Sequence, residues 1–358
     1  MIRFLHTADW HMDAPMRGFT TDQRGFLRKK MLDMPGQIAD LCIREKCDLV
    51  LLAGDVFDSA TYTEEGLEAV RDALRRMAVP VFVAPGNHDY YGEKSPWFRE
   101  KWPDNVYIFN RQEISSYRLR TLDCRVYGGA FTGMDCPGLL EGFASDAGER
   151  YALMVLHGDP SGADTPYCPV TPGQVRESGL DYLALGHIHA PGRFGAGAGM
   201  CAWPGCPMGH GYDETGEKGV LIGELDSGLV LRFVPLEVPG FHDVTISVDD
   251  NPENALAKAL GEGKPDDFFR VRLTGTSRRI SPDQLRRRFL AYPNLKLLDE
   301  TTERTEVWEN SGEDSFEGLF FGLLQEAMNG ADDRTREDLE LAAKLSRQIL
   351  LGREVELP

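Results

Sequence analysis

No hydrophobic run in this 358-residue chain approaches the roughly 20 residues needed to cross a bilayer as a helix, so no membrane-spanning role is expected. Paired C-x-x-C motifs are missing as well. The seven cysteines are scattered, with only Cys201 and Cys206 close together, which makes reduced thiols in a cytoplasm the simplest account. The opening segment Met1 to His6 meets His and Asp too soon to hold a signal-peptide core, and a cytoplasmic location is expected. Basic residues are scarce: 39 Lys and Arg face 57 Asp and Glu, for a formal charge of -18. That balance argues against broad attraction to a polyanion, because nucleic-acid binders usually carry a basic surface that releases counterions. The acid excess runs through both halves, so no basic domain hides inside the total. Internal repeats and low-complexity tracts are missing too.

What is present is an ordinary globular composition, 42% hydrophobic and 27% charged, which excludes wholesale disorder and a coiled-coil fibre. The length favours a large catalytic domain with something smaller attached. The pattern divides into residues 1–240, an α+β stretch at 241–310 and a helical segment at 311–358.

The first part repeats one arrangement, a short apolar strand followed by a turn that carries an acid, an amide or a histidine. Strands at 2–6, 48–53, 79–84, 151–156 and 182–185 lead in turn to Asp9 and His11, to Asp55, to Asn87 and His88, to His157, and to His187 and His189. Near-continuous apolar strands such as Leu49 to Leu52 read as buried on both faces, with helices at 25–45 and 64–77 as covers. In open α/β sheets, sites form beyond the carboxyl ends of strands, which is where these residues fall. Alternating runs at 218–225 and 229–235 read as antiparallel strands. The expected fold class is α/β, a mixed β-sandwich flanked by helices. Further on, strands are expected at 242–248, 268–273 and 295–298, helices at 252–260 and 282–292, and amphipathic helices from 316 and over 338–351.

Four motifs occur in order: Asp9-Trp10-His11, Gly54-Asp55-Val56-Phe57-Asp58, Gly86-Asn87-His88-Asp89 and Gly186-His187-Ile188-His189, with His157-Gly158-Asp159 before the last. Each is weak alone, since a strand-end Asp is often only a cap or turn former. Together, in order and each at a strand end, they specify a site. Two divalent cations about 4 Å apart bind both non-bridging oxygens of a phosphate and generate hydroxide at neutral pH, which takes about seven mixed oxygen and nitrogen ligands with one carboxylate between the ions. Asp9, His11, Asp55, Asn87, His157, His187 and His189 supply that set. Imidazole, carboxylate and amide ligation without thiolate suits Mn²⁺, Fe²⁺ or Zn²⁺.

These motifs resemble those of the calcineurin-like metallophosphoesterase superfamily. His6-Thr7-Ala8-Asp9-Trp10-His11, Gly54 to Asp58, Pro85 to Asp89 and Asp181 to His189 resemble more narrowly its SbcD branch of DNA repair exonucleases, as do Pro204-Gly205 and Glu217-Lys218-Gly219. The resemblance covers residues 1–240 and is loose beyond. It implies a four-layer α/β/β/α fold, with Asp9, His11 and His189 on a first metal, Asn87, His157 and His187 on a second, and Asp55 bridging. His88 would face the scissile phosphate as a stabiliser or as the acid for the leaving oxygen, oriented by Asp58 or Asp89. The implied activity is a Mn²⁺-dependent exonuclease acting 3′ to 5′ at DNA ends, with in-line attack by a hydroxide that the two metals activate. An SbcC-like ATPase partner and a homodimer come with the branch, and 241–310 either takes the place of its capping domain or is an ordinary α+β appendage.

The other conspicuous residues have plainer readings. His6 is expected as a satisfied core histidine rather than a ligand, and Trp10 and Phe57 as packing around the cluster. His210 lies on a loop, where reaching substrate and having no chemical role are equally open. Arg28-Lys29-Lys30 and Arg286-Arg287-Arg288 read as solvated helix faces. The terminal helices either dock on the ATPase coiled coil or pack on the chain itself. The acidic surface would better suit a rival activity, a phosphatase or phosphodiesterase for small phosphorylated molecules.

Overall fold

The structure is a computed structural model and describes residues 1–146, 148–162, 164–195, 199–248, 251–277, 281–303 and 307–352. By backbone contacts the chain forms two compact units. One comprises Met1–Asp243, Gly263–Arg270 and Ala291–Lys296, and the other Val244–Glu262, Val271–Leu290 and Leu297–Pro358.

The chain opens with β1 (Ile2–Thr7), α1 (Thr21–Arg44), β2 (Leu49–Leu52), α2 (Glu64–Met77), β3 (Val81–Val83), the short α3 (Pro96–Arg99) and β4 (Val106–Ile108). It continues through β5 (Ser115–Leu119), β6 (Cys124–Gly128), β7 (Tyr151–His157), α4 (Pro172–Glu177), β8 (Tyr182–Gly186), β9 (Gly192–Phe194) and β10 (Met200–Trp203), and returns with β11 (Gly219–Leu225) and β12 (Leu229–Pro235). Two six-stranded sheets result, in the orders β12-β11-β1-β2-β3-β4 and β5-β6-β7-β8-β10-β9. The first runs parallel from β1 to β4, with β11 and β12 antiparallel at its other side. In the second, β6, β7, β8 and β10 are parallel and β5 and β9 antiparallel edges.

Alternation along apolar strands explains the layering. Phe4, Leu49, Leu51 and Phe82 point to one side of the first sheet and meet Val126, Leu153, Val155 and Tyr182 of the second. Leu5, Val50, Leu52, Val81 and Val83 point the other way and pack under α1 and α2, through residues such as Ile38, Leu41, Leu67 and Leu74. On the far face of the second sheet, Met154, Leu156, Leu183 and Leu185 meet Val175 of α4 and Leu140, Val170 and Leu180 of neighbouring loops. The fold is therefore a mixed α/β sandwich with helices outside both sheets. Thr20 and Thr63 cap α1 and α2, each side chain accepting a backbone N–H of the first turn.

The rest comprises β13 (Phe241–Ser247), α5 (Pro252–Leu260), β14 (Phe268–Thr274), β15 (Thr276–Ser277), α6 (Pro282–Arg288), β16 (Leu295–Asp299), β17 (Thr302–Glu303), α7 (Phe316–Met328) and α8 (Asp333–Leu350). β13, β14 and β16 form a three-stranded sheet in that order. Helix α6 stops short of the expected end at Tyr292, and α8 starts earlier than expected because Asp332 caps it, accepting Thr335 N–H. Between α7 and α8 the buried Arg347 guanidinium pairs with Glu317, donates to the carbonyl of Val307 at 3.0 Å and lies 3.9 Å from the centroid of the Phe321 ring. Among the described residues, no helix is long and apolar enough to cross a membrane.

Phe82 is fully buried between the sheets and stacks on Tyr107 with ring centroids 5.2 Å apart. Phe82→Ala is expected to cost about 3–5 kcal/mol, read as a lower denaturation midpoint with an unchanged slope in urea.

Candidate metal centre

Beyond their last paired residues, β1 and β2 keep exchanging backbone hydrogen bonds. Ala53 N–H donates to Thr7 C=O at 2.9 Å, Asp9 to Gly54 at 3.0 Å, His11 to Asp55 at 3.0 Å and Met12 to Val56 at 2.9 Å. The two loops travel side by side while three of their residues, Asp9, His11 and Asp55, hold positive φ of 55°, 44° and 50°. His187, after β8, joins them at φ 100°. Left-handed backbone at non-glycine residues costs about 1–3 kcal/mol each and persists only where surrounding structure over-determines it. At these four positions it turns side chains inwards.

Close approach falls to glycines. A Cβ on Gly54 would lie 2.6 Å from His157 Nδ1, and one on Gly186 would lie 2.0 Å from the Ala53 carbonyl oxygen. These two positions let the loops after β2, β7 and β8 share one point.

Six of the seven expected ligands have side-chain donor atoms close together, and His187 stands beside them through ring contacts. His11 Nε2 and His189 Nε2 are 3.1 Å apart, and with Asp9 their ligating atoms form one group within 4.8 Å. Asp9, Asp55 and His157 form a second such group. His157 Nε2 is 3.0 Å from Asn87 Oδ1. Asp55 Oδ2 stands between the groups, 3.3 Å from His157 Nε2 and 3.8 Å from His11 Nε2. His187 donates its backbone N–H to Asp9 Oδ1 at 2.9 Å, and its ring meets those of His157 at 5.2 Å and Tyr167 at 4.9 Å.

Each of three rings is aimed by a partner at Nδ1. His11 Nδ1 faces Asp58 Oδ1 at 3.2 Å, His157 Nδ1 faces the Ala53 carbonyl at 2.9 Å, and His189 Nδ1 faces the Glu214 carboxylate. A neutral imidazole that donates from Nδ1 keeps its lone pair on Nε2, the form that binds a metal. Two such lone pairs meeting 3.1 Å apart, at His11 and His189, repel unless a proton or a cation lies between them. The donor set fits divalent metal ions.

The electrostatics agree. Burial opposes protonation of His11, yet the Asp58 hydrogen bond and the charges of Asp55 and Asp9 raise it to about 9. Burial likewise opposes protonation of His157, and Asp55 overrides it to about 10. Burial and the nearby His157 push His187 down to about 4, so it stays neutral. Burial raises Asp9, and Asp55 adds to that despite the histidines. Asp55 is held well below the usual carboxylate range because His157 and His11 outweigh its burial. Protons on His11 and His157 balance the buried carboxylates.

His88 is exposed beside this cluster, its ring 4.8 Å from that of His11, with Nδ1 against the Asp58 carbonyl at 2.8 Å. Its backbone N–H donates to Asp55 Oδ1 at 2.9 Å. Asp58 is thus the residue at the His88 ring, with carboxylate Oδ1 3.8 Å from Nδ1. Asp89 takes a different place from the expected one. Its buried carboxylate accepts the N–H groups of Val56 and Gly86, each at 2.9 Å, and Trp97 Nε1 at 2.8 Å, tying together the loops after β2 and β3 rather than orienting His88. With Phe57 N–H also donating at 3.3 Å, four accepted bonds from rigid donors leave it no freedom to turn.

His6 is a core residue, with Nδ1 against Tyr182 OH at 2.8 Å, Nε2 against the Leu185 carbonyl at 3.0 Å, and burial holding it neutral with a pKa of about 3. Trp10 and Phe57 are fully buried wall residues. Sequence reasoning missed Glu214. It grips His189 and His210 and sits well below the usual carboxylate range, because those two histidines outweigh its burial. Its loop, Gly211 to Gly216, carries several polar residues, and nothing in the sequence separates Glu214 from Asp213 or Glu217.

The profile of the family Calcineurin-like phosphoesterase matches residues 2–191. The chain is 30% identical over 292 residues to the uncharacterized metallophosphoesterase YhaO of Bacillus subtilis, a match spanning 77% of this chain and 69% of that one. It is 22% identical over 339 residues to the SbcD component of the nuclease SbcCD of Staphylococcus epidermidis, spanning 83% and 85%. A solved dimetal phosphatase from Danio rerio aligns with a TM-score of 0.44 and 14% identity, over 65% of this chain and 96% of that one.

Cation binding at His11 and His157 has to displace protons, given values of about 9 and about 10. Mn²⁺ affinity is therefore expected to weaken as pH falls from 9 towards 6, with release of about two protons near neutrality. Calorimetry in buffers of different ionisation enthalpy measures this, and pH-independent binding without proton release would refute it. Gly186→Ala is expected to cost about 1–3 kcal/mol or more, since a backbone oxygen cannot yield as a side chain can; thermal unfolding gives the value.

Proposed function

The chain belongs to the calcineurin-like phosphoesterase family, and from that premise we propose that it is a two-metal DNA exonuclease of the SbcD type, acting 3′ to 5′ at DNA ends in repair. The observation that carries the two-metal part is Asp55 Oδ2 standing between two groups of nitrogen donors. In this reading Asp9, His11 and His189 hold one cation, Asn87, His157 and His187 the other, and Asp55 touches both. Mn²⁺ is the expected metal, with Fe²⁺ or Zn²⁺ also suited to these ligands. The ions would supply water activation and neutralise charge on the phosphate oxygens.

The protein's own part is orientation and proton traffic. The carbonyl of Ala53 and the carboxylates of Asp58 and Glu214 set the tautomers. Asp89 holds the Asn87 and Asp55 loops together. His88, exposed and anchored at Nδ1 on Asp58, offers Nε2 to a phosphodiester and is the group placed to stabilise the departing oxygen or protonate it.

The DNA part rests on the match with a nuclease component over 83% of this chain, which runs well past residue 240. On that reading the α+β stretch at 241–310 shapes access for DNA ends, and the helices of 311–358 meet an SbcC-like ATPase. Phe316, Leu319 and Leu323 form an exposed stripe on α7, at the spacing of a helix face that docks on another helix. A cytoplasmic homodimer completes the reading. Of the two basic runs, Arg28 is paired with Glu65 at 2.7 Å and Arg288 with Glu253 at 2.6 Å, as solvated helix faces are. A further candidate for backbone contact is a cleft lined by Arg71, Arg75, Arg99 and Lys101 beside Trp102, where Arg71 pairs with Glu68 and Glu100 and Arg75 with Asp72. The charge of -18 favours the second reading, a phosphatase or phosphodiesterase for small phosphorylated molecules.

End-labelled linear DNA with Mn²⁺ separates the two. Stepwise shortening from 3′ ends is expected, abolished by chelator and by Asp55→Asn, and slowed about 10²–10⁴-fold by His88→Ala. Intact DNA alongside brisk hydrolysis of a chromogenic phosphodiester would overturn the nuclease reading in favour of the second.

A further inference from the structure

Two loops of the first unit are joined by a short backbone bridge, and a cysteine lies on each side of it. Cys136 N–H donates to the Pro166 carbonyl and Cys168 N–H to the Cys136 carbonyl, both at 2.8 Å, so that Cys136 and Tyr167 pair in parallel. The two cysteines and Phe131 form one buried cluster, with Cys136 1% and Cys168 0% exposed. Within it the Cys136 thiol donates to the Cys168 sulphur, and this bond, helped by the Leu139 N–H, holds the Cys168 thiol below its ordinary value against burial. A buried cysteine is often no more than a small apolar residue. Here two of them meet across a hydrogen-bonded bridge, and Cys136 also lines a cleft of about 470 Å³ with Asp135, Pro137, Asp164, Pro166 and Pro169. A small oxidant entering the cleft meets the pair from that side.

The bridge leans on the metal centre. Asp159 N–H, two residues after His157, donates to the Tyr167 carbonyl at 2.9 Å and to that of Cys168 at 3.3 Å, and Val170 N–H donates back to the Asp159 carbonyl at 2.9 Å. A Cβ on Gly158 would lie 2.5 Å from the Cys168 carbonyl oxygen, so the two segments have no slack between them. The Tyr167 ring is 4.9 Å from that of His187, and the Phe131 ring 5.5 Å from that of His157.

We propose that Cys136 and Cys168 form a dithiol that peroxides convert to a disulfide, and that closing it weakens the cation site of Asn87, His157 and His187. One thiol attacks the O–O bond of hydrogen peroxide and becomes a sulfenic acid as a first water leaves. The other then displaces a second water, so the S–S bond forms and both thiol protons end in water. A disulfide holds its sulphurs about 2.05 Å apart, far closer than thiols in contact, so the Cys168 backbone has to move. A junction without slack passes that movement to Gly158 and His157. The effect on the cation rests on the two-metal reading; the disulfide does not.

The test uses the full-length protein, first reduced and then treated with hydrogen peroxide. Trypsin leaves Cys136 in the fragment 126–150 and Cys168 in 151–176, one cysteine in each. The two fragments are expected to appear joined, lighter than their sum by two hydrogens, and to separate with dithiothreitol. Calorimetric titration with Mn²⁺ before and after oxidation is expected to show one of two sites weakened about 10–100-fold and restored on reduction. Cys136→Ala and Cys168→Ala, made singly so that either suffices if the other fails to fold, should bind Mn²⁺ as the reduced protein does, with or without peroxide. Fragments that stay apart, or a crosslink confined to other cysteines such as Cys42 and Cys47, would overturn the proposal. A joined pair with unchanged Mn²⁺ binding would overturn its link to the cation site. Fewer than two sites in the reduced protein would overturn the two-metal reading while leaving the dithiol standing.

Discussion

The lateral ladder between β1 and β2 does not stop where the strands do, and the site exists because of that. From Ala53 N–H on Thr7 to Asp58 N–H on Met12, backbone bonds of 2.9–3.1 Å continue through residues whose φ is positive. An isolated loop would relax Asp9, His11 or Asp55 out of the left-handed region at a gain of about 1–3 kcal/mol each. Two loops that hold one another cannot relax separately. The strain is thus supported by the same hydrogen bonds that space Asp9 against Asp55, and behind them by a fully buried sandwich core.

Burying carboxylates at such a point has to be compensated. Asp9, Asp55 and Asp89 are each at most 2% exposed, and isolated ionised carboxylates in that setting would be prohibitive. Asp89 is compensated locally by backbone and indole N–H groups, whereas Asp9 and Asp55 look to imidazoles. Protons on His11 and His157 and cations bound by them are alternative solutions to one electrostatic problem. An overall acidic chain sharpens the preference for cations at this point, and it leaves any attraction for a polyanion to local features.

The site is legible in the sequence because each ligand ends or follows a short, largely apolar strand, a pattern seldom accidental when repeated five times. β2, β7 and β8 are buried on both faces and therefore written almost wholly in apolar residues. The second sheet's margins and the far edge of the first are not legible. β5 is Ser-Ser-Tyr-Arg-Leu, β9 is Gly-Arg-Phe and β4 has three residues, none fully buried. Edge strands with one wet side carry too little pattern to distinguish them from loops. Asp89 escapes for another reason. Adjacency in Asn87-His88-Asp89 suggests shared chemistry, but the turn sends neighbouring side chains to opposite sides, His88 outwards and Asp89 into the core.

Which atoms of a histidine face a cation is decided elsewhere than in the motif that supplies the histidine. His157 is aimed by the Ala53 carbonyl, 104 residues away; His11 by Asp58, 47 away; His189 by Glu214, 25 away. The ligand motifs announce themselves by type and spacing, but their acceptors come from backbone or from loops with no signature. Chains that share the seven ligands can therefore differ in metal preference and proton traffic through acceptors alone. One such acceptor, Glu214, couples the last ligand of the last motif to a loop histidine, so a change in either His189 or His210 is felt by the other through one carboxylate.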